Sequence, residues 1–182
     1  KASCAMEARF LKDKLQMHLP GSEIFLDSDD LKDLRTLLES VRDSSALVVV
    51  QSAEILHRPW CLLEMYAAIE SGVPVVALNC QGKGYDFPQA SRFLTNLDTQ
   101  LEEKTPGAGK IISDEGVDIR DLAFKLAHVI PNIISVDFNP SGSGNSQAAS
   151  IEDLMAAMEK ATPVKLPDNK EEWLAVRRTG SS

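Results

Sequence analysis

A single carboxylate lies within an otherwise apolar segment of the chain. Between Trp60 and Ile69, Glu64 is the one charged residue. Helical spacing places it in phase with Trp60 and Leu63, so the carboxylate points with the apolar stripe. Such a group is a candidate for catalysis or ligand binding. The alternative is a structural carboxylate that is favoured by the helix macrodipole or paired with Arg or Lys.

Further polar residues follow two predicted strands. The segment 23–27 is short and apolar at its centre, and the apolar run 46–50 leads to a second strand end. Ligands of parallel sheets bind beyond the carboxyl ends of the strands. We therefore expect one rim to collect the candidate cleft residues, which are Asp27, Ser28, Asp29, Ser52 and Trp60 beside Glu64.

The elements that position these residues alternate between strand and helix. An amphipathic helix is predicted over 3–19, and a second one begins near Asp30. The β-branched run 46–50 is typical of a strand buried on both faces, and 72–79 supplies another. Pro59 suits the first position of the intervening helix, and Gly72 suits the residue after its end. This order predicts an α/β fold with a parallel sheet and helices on both faces.

The second half of the chain predicts more elements of the same kind. Helices are expected over 90–101 and 117–130, a short edge strand over 110–113 and a further strand over 132–138. We divide the chain into a domain over 1–138, a flexible linker over 139–149, and a short helix with a loosely held tail over 150–182. Trp173 is the residue of the tail expected to dock.

Composition limits the classes of function. The chain has 182 residues with 43% hydrophobic and 25% charged residues, which is ordinary globular usage. Its net charge of -8 argues against a nucleic-acid or anionic-membrane binder, since those need a basic face. No apolar stretch approaches the length of a membrane span. Three cysteines without close spacing fit a reducing compartment, and we expect a cytoplasmic protein.

Several other chemistries do not fit the residues. The acidic segment 27–30 lacks the glycine and glutamate of a calcium loop, and a phosphoacceptor receiver needs an Asp where this chain has Ser52. The histidines are scattered without a second ligand at metal spacing, so no metal site is predicted.

Three segments in order resemble the Toll/interleukin-1 receptor (TIR) domain family. They are Phe25-Leu26-Asp27 with Leu31 beyond it, Ser44-Ser45 leading through 47–50 to Ser52, and Trp60-Cys61 with Glu64, closed by 72–76. The resemblance covers roughly residues 3–130. It implies a flavodoxin-like parallel sheet of five strands. The family begins with a strand that has no counterpart among the matched segments, so we expect the first strand to be missing and the domain to be truncated at its N-terminus.

The resemblance also implies functions. Many TIR domains are signalling modules, including in innate immunity, that assemble with other TIR domains, and a large subset hydrolyses NAD+ to nicotinamide and ADP-ribose. The essential glutamate of that subset corresponds to Glu64, and Trp60 would wall the cleft. The loop 28–33 corresponds to the loop that gates the cleft and mediates TIR contacts. NAD+ would be a substrate, with no cofactor.

Two alternatives stay open beside an NAD+ hydrolase. One is a non-catalytic TIR scaffold that acts through TIR–TIR interaction, forming a homo-oligomer on activation. The other is a different flavodoxin-like nucleotide binder, which rests on fold analogy alone.

Overall fold

A parallel three-stranded sheet forms the centre of the fold. The computed structural model describes residues 4–26 and 34–179. Within them, strands β1 (Leu47–Gln51), β2 (Val75–Cys80) and β3 (Val136–Phe138) lie in the order β1-β2-β3. Leu47 is in register with Val75, and Leu78 with Val136. The predicted parallel α/β arrangement is therefore confirmed over these strands.

Helices connect and cover the strands. The described residues form α1 (Ala5–His18), α2 (Leu34–Asp43), α3 (Pro59–Glu70), α4 (Phe87–Thr95), α5 (Leu97–Lys104), α6 (Ala108–Asp114), α7 (Ile119–Val129), α8 (Gly144–Lys160) and α9 (Lys170–Thr179). Two single-turn 3-10 helices span Ile55–His57 and Ile130–Asn132. None of the helices in the described parts of the chain combines the length and apolarity needed to cross a membrane.

The two faces of the sheet bury different layers of helices. Because side chains alternate along a strand, Val48 and Val50 face one side, where they pack in a cluster with residues of α1 and α8. Val49 and Val75 face the other side and pack in a larger cluster with residues of α2 to α7. Burial of both faces explains why the strands are continuous apolar runs rather than alternating ones.

Helix α3 carries Trp60 and Glu64 and is mostly buried. Pro59 occupies its first turn, where the missing N–H costs no hydrogen bond. Gly72 follows the helix with φ of +69°, and Val73 N–H bonds to the Ala68 carbonyl at 2.8 Å. Both predicted boundaries of this helix are confirmed, since left-handed backbone favours glycine.

Two predictions for the chain between β2 and β3 were wrong, one in the type of element and one in its extent. The segment 110–113 lies in α6 and not in an edge strand, because Gly107 begins the helix with φ of +88° and Ala108 and Ile112 pack one turn apart. The Glu102 carboxylate accepts hydrogen bonds from the Gly107 and Gly109 N–H groups at 2.7 and 3.0 Å. The helix predicted over 90–101 is two helices, which meet at Asn96.

The first predicted strand is not observed over its described part. Residues 23–26 follow α1 without regular secondary structure, and Asp27 lies outside the described residues. No described strand pairs with β1 on the side away from β2. A segment without a neighbouring strand has no ladder to join.

The C-terminal part is more ordered than the sequence predicts. Residues 144–149, predicted as flexible linker, form the first turns of α8, because Ser143 caps the helix by accepting a hydrogen bond from the Ser146 N–H at 3.2 Å. Ile151 and Leu154 then bury against the sheet. Trp173 docks as predicted, but the tail around it forms helix α9.

Candidate functional site

Glu64 is a buried carboxylate on α3. Its residue exposure is 9%, and its neighbours Leu63 and Met65 are each 1% exposed. The prediction that this carboxylate points with the apolar face is confirmed by that burial. Glu64 is engaged in an interaction within the fold, as a buried charge requires.

Trp60 lies one helical turn before Glu64. It is half-buried and packs against the core on the α3 side of the sheet. Residues four apart on a helix are neighbours on its surface, so the indole and the carboxylate share one face. Because β1 and α3 are joined by residues 52–58 alone, this first half of α3 starts from the carboxyl end of the sheet.

Ser52 directly follows β1 and is 7% exposed. The preceding residue, Gln51, is 1% exposed, and its side-chain oxygen accepts a 2.8 Å hydrogen bond from the Ser135 hydroxyl. Burial raises the pKa of the Tyr85 hydroxyl, and a hydrogen bond with Gln51 offsets part of that rise. The rim therefore holds a buried polar patch whose members other than Ser52 were not predicted.

The acidic residues of the predicted cleft lie outside the described residues. Asp27, Ser28 and Asp29 belong to the segment 27–33. Their role stays a prediction from sequence.

A second polar pair lies at the same rim, between α1 and the turn after β2. Lys83 Nζ is 2.6 Å from Glu7 Oε1, and the side chains are 21% and 10% exposed. Within the described part of the chain, Glu7 Oε2 is buried without a hydrogen-bond partner. Sequence analysis missed this pair, because the two residues belong to elements far apart in the chain.

A cluster of paired charges lies away from the rim, where α3, α7 and α9 meet. The Tyr66 hydroxyl donates to Asp121 Oδ2 at 2.6 Å, and Lys125 Nζ contacts the same oxygen at 2.6 Å. Lys125 also pairs with Glu70, and Lys170 pairs with Asp121 Oδ1. We call these five residues the α3–α7–α9 cluster.

Hydrogen bonds and ion pairs within this cluster shift the pKa values of its members. Burial alone would raise the pKa of Asp121, but hydrogen bonds from Lys125, Lys170 and Tyr66 outweigh burial and lower the pKa to about 2. Burial would lower the pKa of Lys125, but its bonds to Asp121 and Glu70 raise it instead. Burial and the bond to Asp121 raise the pKa of Tyr66 to about 12. Since every charge here has a partner, the cluster joins helices rather than performing chemistry.

Two surface cavities flank the helices without including the predicted site. A groove of about 340 Å³ between α2 and α3 is lined by Leu38, Glu39, Arg42, Leu63, Tyr66, Ala67, Glu70, Glu115 and Val117. A groove of about 400 Å³ beside α9 is lined by Thr95, Asn96, Asn169, Glu172, Trp173 and Val176. Glu64, Trp60 and Ser52 line neither of them.

Comparison of the chain with models of known protein families gave no match, and comparison with curated proteins gave no significant match.

Proposed function

We propose that the protein is a TIR-type signalling module that hydrolyses NAD+ to nicotinamide and ADP-ribose, with Glu64 as the catalytic residue. The observation that carries the proposal is a carboxylate at 9% exposure in an apolar helix that starts from the carboxyl end of a parallel sheet. Burying a charge costs free energy, so a carboxylate kept among apolar neighbours is a candidate functional group.

The reaction suits a single carboxylate. The bond between ribose C1′ and the nicotinamide nitrogen breaks, the electron pair leaves with a pyridinium that becomes neutral, and water adds to C1′ with release of a proton. Because the leaving group is already cationic, no strong general acid is needed. A carboxylate beside the ribose stabilises the oxocarbenium-like transition state and holds the ribose hydroxyls. In this proposal Trp60 would wall the cleft, and Ser52 would contribute to it.

The fold assignment behind this proposal is a flavodoxin-like TIR domain. The parallel order β1-β2-β3 with helix layers on both faces is compatible with it. The loop 28–33, which contains Ser28 and Asp29, would gate the cleft over NAD+, and Asp27 would directly precede it. Other TIR domains would be the partners, giving a homo-oligomer on activation in the cytoplasm.

The test measures nicotinamide release from NAD+ by the protein and by two variants. Glu64→Gln removes the charge and keeps the size of the side chain, and Glu103→Gln is the matched control at an exposed position of α5. We expect Glu64→Gln to lower the rate by about 100-fold or more and Glu103→Gln to leave it unchanged. Circular dichroism of each variant confirms that the fold is retained.

Two outcomes contradict the catalytic proposal. Equal rates of nicotinamide release for the protein and Glu64→Gln would show that Glu64 is not the catalytic residue. Absence of release at high protein concentration, together with concentration-dependent self-association, would favour the non-catalytic scaffold instead.

A further inference from the structure

Two of the three cysteines meet at the carboxyl rim of the sheet. Cys4 directly precedes α1 and is half-buried, and Cys80 is the last residue of β2 and is 1% exposed. Both belong to the cluster between the sheet and the layer of α1 and α8. Both are free thiols, and their interaction with each other contributes to the raised pKa of Cys80.

An ion pair independently fixes the same two segments against each other. Glu7 lies one turn after Cys4 in α1, and Lys83 lies three residues after Cys80. Their 2.6 Å contact crosses from α1 to the turn after β2. Backbone hydrogen bonds from Ala8 N–H to the Cys4 carbonyl at 2.8 Å and from Lys83 N–H to the Cys80 carbonyl at 3.2 Å hold each cysteine in place. Both cysteines therefore lie on anchored backbone segments, and an ion pair joins these segments.

We infer that Cys4 and Cys80 form an oxidative modification site, at which a hydroperoxide such as hydrogen peroxide converts the two thiols into a disulfide. In the first step the Cys4 thiolate attacks one peroxide oxygen, the O–O bond breaks, and hydroxide leaves and takes up a proton. Cys4 is now a sulfenic acid. In the second step Cys80 Sγ attacks Cys4 Sγ, the S–O bond breaks, and the departing hydroxide takes the Cys80 proton as water. Two thiols and one peroxide yield one disulfide and two waters.

The environments of the two sulfurs set the order of these steps. Peroxide reaches the more exposed thiol first, and that thiol is Cys4. Burial raises the pKa of Cys80 to about 12, with Cys4 and Glu7 adding to the rise, so Cys80 stays protonated until Cys4 has reacted. The Lys83 ammonium interacts electrostatically with both sulfurs.

The disulfide would couple α1 to the central strand of the sheet. It would close a loop that contains α1, α2, β1, α3 and most of β2. Closing a long loop restricts the unfolded chain, so oxidation is expected to raise Tm by about 5–10 °C. Cys61 provides an internal reference, because it is buried in the cluster on the opposite face of the sheet.

The test treats the reduced protein with hydrogen peroxide and maps its thiols by mass spectrometry. We expect loss of two thiols per chain, a peptide cross-link between Cys4 and Cys80 that dithiothreitol reverses, and an unmodified Cys61. Cys80→Ser should instead accumulate a Cys4 sulfenic acid that dimedone traps, and Cys4→Ser should leave Cys80 unmodified. The Tm of the oxidised protein should exceed that of the reduced protein.

Thiol mapping of the unsubstituted protein tests the inference without depending on the folding of any variant. Oxidation of Cys4 to sulfinic acid without a cross-link, a disulfide between two chains, or preferential modification of Cys61 would each overturn the inference. The site does not depend on NAD+ hydrolysis, so either proposal can fail while the other stands.

Discussion

Tyr66 in α3 donates a 2.6 Å hydrogen bond to the carboxylate of Asp121 in α7. Lys125 contacts the same carboxylate, and its Nζ lies 4.6 Å from the centroid of the Tyr66 ring. A third helix, α9, joins through Lys170. One carboxylate thus links three helices that are distant in the chain.

Asp121→Asn should lower the free energy of unfolding by about 1–3 kcal/mol, because it removes the negative charge between two ammonium groups in a buried setting. The loss stays below that of a fully broken buried pair, since Lys125 keeps Glu70 as a partner. Urea denaturation measures the change. Asp153→Asn is the matched control, at an exposed position of α8, and should shift stability by less than about 0.5 kcal/mol. Equal effects of the two substitutions would contradict the role of the cluster.

The contribution of Asp121 should depend on pH. Its pKa is about 2 in the folded protein, against an ordinary value of 3.8. Between these values the unfolded chain binds the proton first, so the contribution is present above the unfolded value and is lost as pH falls towards 2. The stability difference between the protein and Asp121→Asn should therefore have its full size above about pH 5 and shrink towards pH 2. Urea titrations at several pH values measure it, and a difference that grows on acidification would oppose this assignment.

Trp173→Ala should release α9 from the body of the domain. The indole packs edge-on against Phe124, with ring centroids 5.5 Å apart, and lies 5.9 Å from the His128 ring. We expect a loss of about 1–2 kcal/mol and faster tryptic cleavage after Lys170, whose ion pair to Asp121 is then weakened. Val176→Ala on the same helix is the control, because Val176 is 67% exposed. Unchanged proteolysis of Trp173→Ala would show that the indole does not hold α9.

The core of the fold could be predicted because its signals are local. The β-branched residues of β1, and Pro59 and Gly72 around α3, fix type and boundaries without reference to the rest of the chain. Local signals mislead where contacts between different elements determine the secondary structure. Ile111 and Ile112 suggest a strand, but the left-handed Gly107 and its bond to Glu102 start a helix there.

The candidate site likewise has features that the sequence predicts and features that it does not. The burial of Glu64 follows from helical periodicity, which sequence supplies. The bond between Tyr66 and Asp121 joins residues 55 positions apart, and the ion pair of Glu7 with Lys83 likewise joins α1 to the turn after β2. The i,i+4 spacing of Asp121 and Lys125 was a visible signal for a charged pair on α7, but it could not reveal the partners on α3 and α9.

Gly72→Ala should destabilise the junction between α3 and β2. The residue has φ of +69°, a conformation that costs an L-residue roughly 1–2 kcal/mol. An added Cβ would meet only Pro163 Cγ at 4.0 Å, which is ordinary contact, so backbone strain is the cause and crowding is not. Gly21→Ala is the matched control, since its φ lies outside the left-handed region and its Cβ would meet nothing within 4 Å. Thermal unfolding should show Tm lowered by about 2–8 °C for Gly72→Ala and little changed for Gly21→Ala. Equal Tm values for both variants would mean that the turn adapts to a side chain without strain.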